Sequence, residues 1–256
     1  MDMPHSSRIT TRELCAIAAE AASRGTSILR TDAASRTPVR KGAPGDVVTE
    51  VDRQVEASIR EFLREVRPDD RVVGEELPDT GTATTGIEWY LDPIDGTTNF
   101  VHGLDLYCTS VAAYDATGGV WLAGAVAVPA GGVMYSAASG HGARKTLPDG
   151  TFVQLDASGP SGAPRLLGVG LSYDAEARAG QFDDIRARMN DYDDLRSLGT
   201  AAYALCLVAD GVLASFVETD LFVYDWAAGA LIAEEAGATV TRPATGRGPV
   251  SAHGRH

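Results

Sequence analysis

The chain of 256 residues sets 35 Asp and Glu against 22 Lys and Arg, a formal charge of −13. A field that negative repels phosphate backbones and anionic lipid, so neither a nucleic-acid partner nor a membrane partner is expected. Its 44% hydrophobic and 22% charged residues are ordinary for a globular protein, which excludes collagen-like and largely disordered classes.

In chain order, Leu14, Ile17, Ala18, Ala21, Ala22 and Ile28 recur at helical spacing over residues 11–29, behind a capping box of Thr10 and Glu13. Residues 30–45 are rich in Ala, Ser, Pro and Gly and read as a loop with room for one short hairpin. Val55, Ile59, Phe62, Leu63 and Val66 mark a second helix, which Pro68 ends. Val72-Val73 forms a buried strand running into Gly74-Glu75-Glu76, and residues 79–86 are Thr- and Gly-rich loop. Trp89-Tyr90-Leu91 is a β-prone run that stops at Asp92-Pro93. Strands follow at 107–115, 120–128 and 133–138, turned by Gly118-Gly119 and Gly131-Gly132; Pro148-Asp149-Gly150 then turns into a strand at 151–155. Residues 156–164 are the best linker candidate. Beyond them strand and helix alternate: strand 166–171, helix 178–190, strand 193–196, helix 200–210, strand 212–217, helix 225–236 and strand 238–241. An α+β half (about 10–155) and an α/β half (about 165–242) are expected to share one domain over 1–256, built of layered sheets and helices.

Cys15, Cys108 and Cys206 are odd in number, widely spaced and set in apolar segments, so they read as free buried thiols of a reducing compartment. The N-terminal residues lack the apolar core of a signal peptide, and no apolar run is long enough to span a bilayer. The expected location is cytoplasmic.

Chemistry concentrates in Asp92-Pro93-Ile94-Asp95-Gly96-Thr97-Thr98-Asn99-Phe100. Two carboxylates stand at the end of an apolar strand, and Pro93 fixes the turn. Gly96 lets the backbone approach a ligand, and Thr97-Thr98 can start a helix whose N–H groups suit an oxyanion. Carboxylates beside an anion site make physical sense with cations between them, because uncompensated like charges raise each other's pKa. Hard divalent ions with oxygen ligands are the natural filling, and Mg²⁺ is the usual one beside phosphate. Three further acids are ambiguous alone. Glu75-Glu76 is ordinarily a solvated pair, Asp225 a helix N-cap, and Asp52 a capping-box partner of Thr49.

Taken together, Lys41, the stretch Asp46-Val47-Val48-Thr49 through Asp52, Gly74-Glu75-Glu76, the Asp92–Phe100 segment and Asp225-Trp226-Ala227-Ala228-Gly229 resemble the inositol monophosphatase family, in order and spacing, over about residues 12–241. These are lithium-sensitive, Mg²⁺-dependent phosphomonoesterases, a group that includes histidinol-phosphate phosphatases, archaeal-type fructose-bisphosphatases and 3′-nucleotide phosphatases. The resemblance implies an αβαβα layered sandwich and a homodimer. By matching position, Glu75, Asp92 and the Ile94 carbonyl would hold one Mg²⁺. Asp92, Asp95 and Asp225 would hold a second, and Glu75 would share a weaker third. Gly96 and Thr97 would bind phosphate through backbone N–H groups, and Thr97 with Glu75 would orient the attacking water. Asp52 would hydrogen-bond beside Thr97, and Lys41 would sit on a loop near the ions. Asp95, Gly199, Thr200, Ala201 and Glu218 would face the alcohol.

The chain departs from the family pattern in places. Tyr224 replaces a Trp, and Asp220 stands close to Glu218 where a small Gly is common. The stretch Gly211-Val212-Leu213-Ala214 lacks the Arg and Asp often seen there, and little room remains after Val240 for a final strand and helix. The expected activity is hydrolysis of a small phosphomonoester, inositol monophosphate or a related polyol or sugar phosphate. The alternative on the same machinery is a histidinol-phosphate or aminosugar-phosphate phosphatase, in which paired acids receive an amine. A non-catalytic metal-binding scaffold would show damaged ligands, and none is visible. Bisphosphates fit less well, because the substrate-side segment offers Arg196 and no cluster of bases.

Overall fold

The computed structural model describes residues 9–31, 37–41, 47–82 and 84–255. The first half runs α1 (Thr11–Thr31), β1 (Val39–Arg40), β2 (Val47–Val48), α2 (Glu50–Val66), β3 (Arg71–Gly74), β4 (Ile87–Asp95), α3 (Thr97–His102), β5 (Cys108–Asp115), β6 (Val120–Val128), β7 (Val133–Ala138), β8 (Ala143–Thr146) and β9 (Phe152–Gln154). The second runs β10 (Leu166–Val169), α4 (Ala175–Arg188), β11 (Asp194–Arg196), α5 (Ala201–Ala209), β12 (Ser215–Leu221), α6 (Val223–Glu235), β13 (Thr239–Thr241) and β14 (Gly248–His253). A seven-stranded sheet has the order β3-β4-β5-β6-β7-β8-β9, and a five-stranded sheet has the order β11-β10-β12-β14-β13. β1, in the expected polar stretch, pairs antiparallel with β2, which lies just beyond it; residues 32–36 and 42–46, Asp46 included, lie outside the described residues.

Strand alternation decides which layer meets which. In β6, Ala123, Ala125 and Ala127 join the cluster of α1 and α2, while Val126 and Val128 join the cluster of α5 and α6 on the other face. α6 lies between the sheets, and glycine lets it come close. A Cβ on Gly124 would meet the Ala228 backbone at 2.9 Å, and one on Gly229 would meet the Ala202 carbonyl at 2.8 Å. On β12, Phe216 points into that central core, while Thr219 bonds Gln181 of α4 on the far side. The layers are therefore α1/α2, large sheet, α5/α6, small sheet and α4, the αβαβα order that the resemblance implies. All three cysteines are buried and free.

Two expectations need correction. β4 does not stop at Asp92-Pro93 but continues to Asp95, with a register shift against β5 between Asp92 and Asp95. Proline is tolerated at such an irregularity because the ladder there needs no N–H from it. A final strand does form: β14 inserts antiparallel between β12 and β13 and buries Val250 and Ala252. Its Pro249 falls opposite the irregularity in β12 between Glu218 and Leu221. No final helix follows among the described residues.

Candidate active site

Four chain segments bring acids to one cavity of about 480 Å³. β4 delivers Asp92 and Asp95, the loop after β3 delivers Glu75, the first turn of α6 delivers Asp225, and β12 delivers Glu218. Gly96 makes the turn from β4 into α3 with φ 98°, and a Cβ there would stand 2.9 Å from the Leu106 carbonyl. Only glycine combines that dihedral with that approach.

The acids differ in how they are held. Asp95 caps α5: its Oδ2 accepts from the Thr200 hydroxyl at 2.6 Å and the Ala202 N–H at 2.7 Å, and its Oδ1 from the Ala201 N–H at 3.2 Å. That places Gly199, Thr200 and Ala201 beside the floor of the cavity, which all three line. Asp225 accepts from the Phe222 N–H at 2.7 Å. Glu75 accepts from Lys41 Nζ at 2.7 Å, and the same ammonium pairs with Glu76. Asp52 completes the capping box of α2, accepting from the Thr49 N–H at 2.7 Å, and its Oδ1 lies 3.1 Å from the Thr97 hydroxyl. That hydroxyl also stands 2.9 Å from the Ile94 carbonyl, so one proton serves either acceptor. Asp92 Oδ1 is buried and has no hydrogen-bond partner among the described residues.

Electrostatics follow from this crowding. Burial pushes Asp92 well above the usual carboxylate range, and Glu75, Asp95 and Asp225 push it further. Asp225 is raised by burial, then by Asp95 and Glu75. Burial takes Glu75 up to about 7 against the pull of Lys41. Asp95 rises only to about 6, because the donors at the start of α5 offset its burial. Glu218 reaches about 8, from burial and then the Asp95 charge. Burial opposes the Lys41 charge, but Glu75 and Glu76 outweigh it and its pKa rises.

Among the described residues no three His, Cys, Asp or Glu side chains close into a metal cage as they stand. Glu75 is held by Lys41, and both Asp95 oxygens are held by α5. The chemistry of the donor set nonetheless fits hard divalent cations: carboxyl oxygens crowded together, with one buried oxygen that meets no donor among the described residues.

Every site residue singled out in the sequence lines this cavity except Asp52 and Lys41, which touch it through Thr97 and Glu75. Asp220 lines it too, but its carboxylate is paired with Arg247 rather than left open. Sequence reasoning missed Arg247. It also missed Glu56, which accepts from the Glu76 N–H at 2.8 Å and the Leu77 N–H at 3.2 Å and so shapes the Glu75 loop. The available signal was an i,i+4 pair, Glu56 and Arg60, on the apolar face of α2, where a charged pair must have partners.

Comparison with known proteins accords with this geometry. The sequence profile of the inositol monophosphatase family matches residues 10–255. An inositol-1-monophosphatase of Mycobacterium leprae is 42% identical over 220 residues, covering 84% of this chain and 74% of that protein. Among solved structures, Mycobacterium tuberculosis SuhB superposes with a TM-score of 0.79 at 35% identity, covering 95% of this chain and 92% of that one. The extragenic suppressor protein suhB of Bartonella henselae gives a TM-score of 0.83 at 26% identity, covering 95% and 94%. The chain belongs to the inositol monophosphatase family.

Proposed function

We propose that this protein is a phosphoric monoester hydrolase acting on inositol monophosphate or a closely related polyol phosphate, with Mg²⁺ as its cofactor. The observation that carries the reading is the buried acidic floor, above all Asp92 Oδ1, which no donor among the described residues satisfies. Glu75, Asp92 and the Ile94 carbonyl would hold one ion, and Asp92, Asp95 and Asp225 a second, with Glu75 shared toward a third. Bound there, the ions would supply activation of water and stabilisation of the leaving alkoxide.

The protein's own groups do the rest. Gly96 and Thr97 border the cavity where β4 turns into α3, and their backbone N–H groups are the donors for phosphate oxygens. The Thr97 hydroxyl donates its hydrogen bond to Asp52 or the Ile94 carbonyl, which leaves its oxygen an acceptor that would fix the orientation of the attacking water. Glu75, paired with Lys41, would act with Thr97 to orient that water. Lys41 keeps Glu75 from being fully protonated by supplying a nearby positive charge. Asp95, through Thr200 and Ala201, couples the floor to the wall that meets the alcohol. Phosphate-ester hydrolysis is among the slowest uncatalysed reactions, so alignment and charge stabilisation must carry most of the acceleration.

The amine-phosphate alternative rested on Glu218 and Asp220 acting as paired acids, and the engagement of Asp220 by Arg247 removes one of them. A homodimer and a cytoplasmic setting belong to the same proposal. No helix among the described residues is long and apolar enough to cross a membrane. The test is a phosphate-release screen with Mg²⁺ over inositol, sugar, histidinol and nucleotide monophosphates. Inositol or another polyol phosphate should lead; release from none of them would refute the reading.

A further inference from the structure

Arg247 is the only basic side chain among the described residues that line the cavity. It comes from the loop between β13 and β14, far from every motif in the sequence, and four contacts fix it there. The Trp226 indole N–H donates to the Gly246 carbonyl at 3.3 Å and anchors the loop. The guanidinium carbon lies 4.5 Å from the centre of the Phe222 ring, which itself stacks on Tyr224 at 5.4 Å. Arg247 Nε donates to the Asp220 backbone carbonyl at 3.3 Å, and Nη2 pairs with the Asp220 carboxylate. Asp220 meets it by adopting φ 71°, the only positive φ of a non-glycine residue among the described residues. That conformation coincides with the irregularity in β12 between Glu218 and Leu221. A side chain held in a strained backbone state at the mouth of a catalytic cavity needs a compensating role.

We propose that the Asp220–Arg247 pair is a specificity element that recognises adjacent hydroxyls on an uncharged leaving alcohol and disfavours a cationic one. The inference rests on the phosphatase reading above. Arg247 has five N–H donors, of which Nε and Nη2 bond Asp220, and Asp220 Oδ1 accepts no hydrogen bond from the described residues, so donors and an acceptor remain side by side. A vicinal diol both donates and accepts within the same span, and a planar guanidinium held by stacking and pairing meets it without reordering. A substrate ammonium would meet the Arg247 charge, and a second phosphate would find that charge already compensated.

The test compares kcat/KM on inositol 1-phosphate, histidinol phosphate and 4-nitrophenyl phosphate for the wild type, Arg247→Ala and Asp220→Gly. Asp220→Gly relieves the left-handed strain, so a change in selectivity there cannot be ascribed to a damaged fold. Both variants should lower the ratio of inositol to aryl phosphate by about tenfold, through KM, the scale of one lost charge-assisted hydrogen bond. Arg247→Ala should raise histidinol phosphate relative to inositol phosphate, and Asp220→Gly, which frees the positive charge, should lower it. If the wild type is active but the ratios stay within about twofold, or all three substrates fall together, the pair is structural and this inference fails. If the wild type hydrolyses none of the three, the phosphatase reading fails and takes this inference with it.

Discussion

The floor and the rim of the cavity are both acidic, and they treat their charge in opposite ways. At the floor, Asp92 and Asp95 are buried and Asp225 is half-buried; burial raises all three, Asp95 and Glu75 push Asp92 and Asp225 further up, and the ammonium of Lys41 pairs directly with Glu75 and Glu76 beside them. At the rim, Asp220 is half exposed and its charge is closed locally by Arg247. Uncompensated buried charge is unstable alone and calls for cations from outside. A closed pair has no such demand, and what it offers a ligand is shape and hydrogen bonding. On the reading proposed above, the floor belongs to the chemistry and the rim to the choice of alcohol.

The largest expected effect breaks the floor. Asp92→Asn removes the charge proposed to bridge two ions, and turnover of every substrate should fall by about a thousandfold or more. The metal-free variant should melt no lower than the metal-free wild type, because the substitution also removes a buried repulsion. Lost stability together with lost activity would mean that Asp92 serves the fold.

The second effect is on stability. Saturating Mg²⁺, at about a hundred times its Kd, should add roughly 2.7 kcal/mol. Without metal, the pH dependence follows from raised carboxyl pKa values. Asp95, Glu75 and Glu218 move from 3.8, 4.5 and 4.5 to about 6, 7 and 8. Groups whose pKa is raised on folding contribute stability below their unfolded values and lose it as pH rises through the folded ones. The melting temperature of the metal-free protein should thus decline between about pH 4 and pH 8, and Mg²⁺ should flatten the decline. A metal-free protein that gains stability over that range would contradict the account of the floor.

The smallest effect sharpens the boundary between floor and rim. Glu218 is half-buried, and a Cβ on Gly170 would collide with its carboxyl oxygens, so its place against the cavity wall depends on that glycine. Glu218→Gln should weaken a polyol phosphate by about 1.5–3 kcal/mol in kcat/KM, the value of a charged hydrogen bond. An aryl phosphate, with no hydroxyls to offer, should lose much less. An equal loss on both would move Glu218 from the alcohol-facing wall into the catalytic machinery.

How much of this was legible in the sequence depends on the range of the interactions. The meander β5 to β7 could be read because alternation has period 2 and paired glycines mark its turns. The Asp92–Phe100 segment could be read because a strand end, a Pro, a Gly and a helix start lie within nine residues. β4 was cut short because Pro93 reads as a strand breaker unless the partner strand is seen to slip there. β14 is not expected from the sequence because the residues after Val240 read as leaving little room for it, whereas the strand fits by pairing back between β12 and β13, with Pro249 opposite the irregularity in β12. Arg247 was invisible because its partner lies 27 residues away and a loop conformation brings them together. The departure at Asp220 was visible, but its meaning needed the dihedral and the partner.

The central claim is that the buried acids of the floor exist to bind the cations that phosphate hydrolysis needs. Its most direct test is phosphate release from inositol 1-phosphate by chelator-treated protein as Mg²⁺ is added back. The account predicts no turnover in chelator and a saturable return of activity with Mg²⁺. Full turnover in the presence of excess chelator would contradict it.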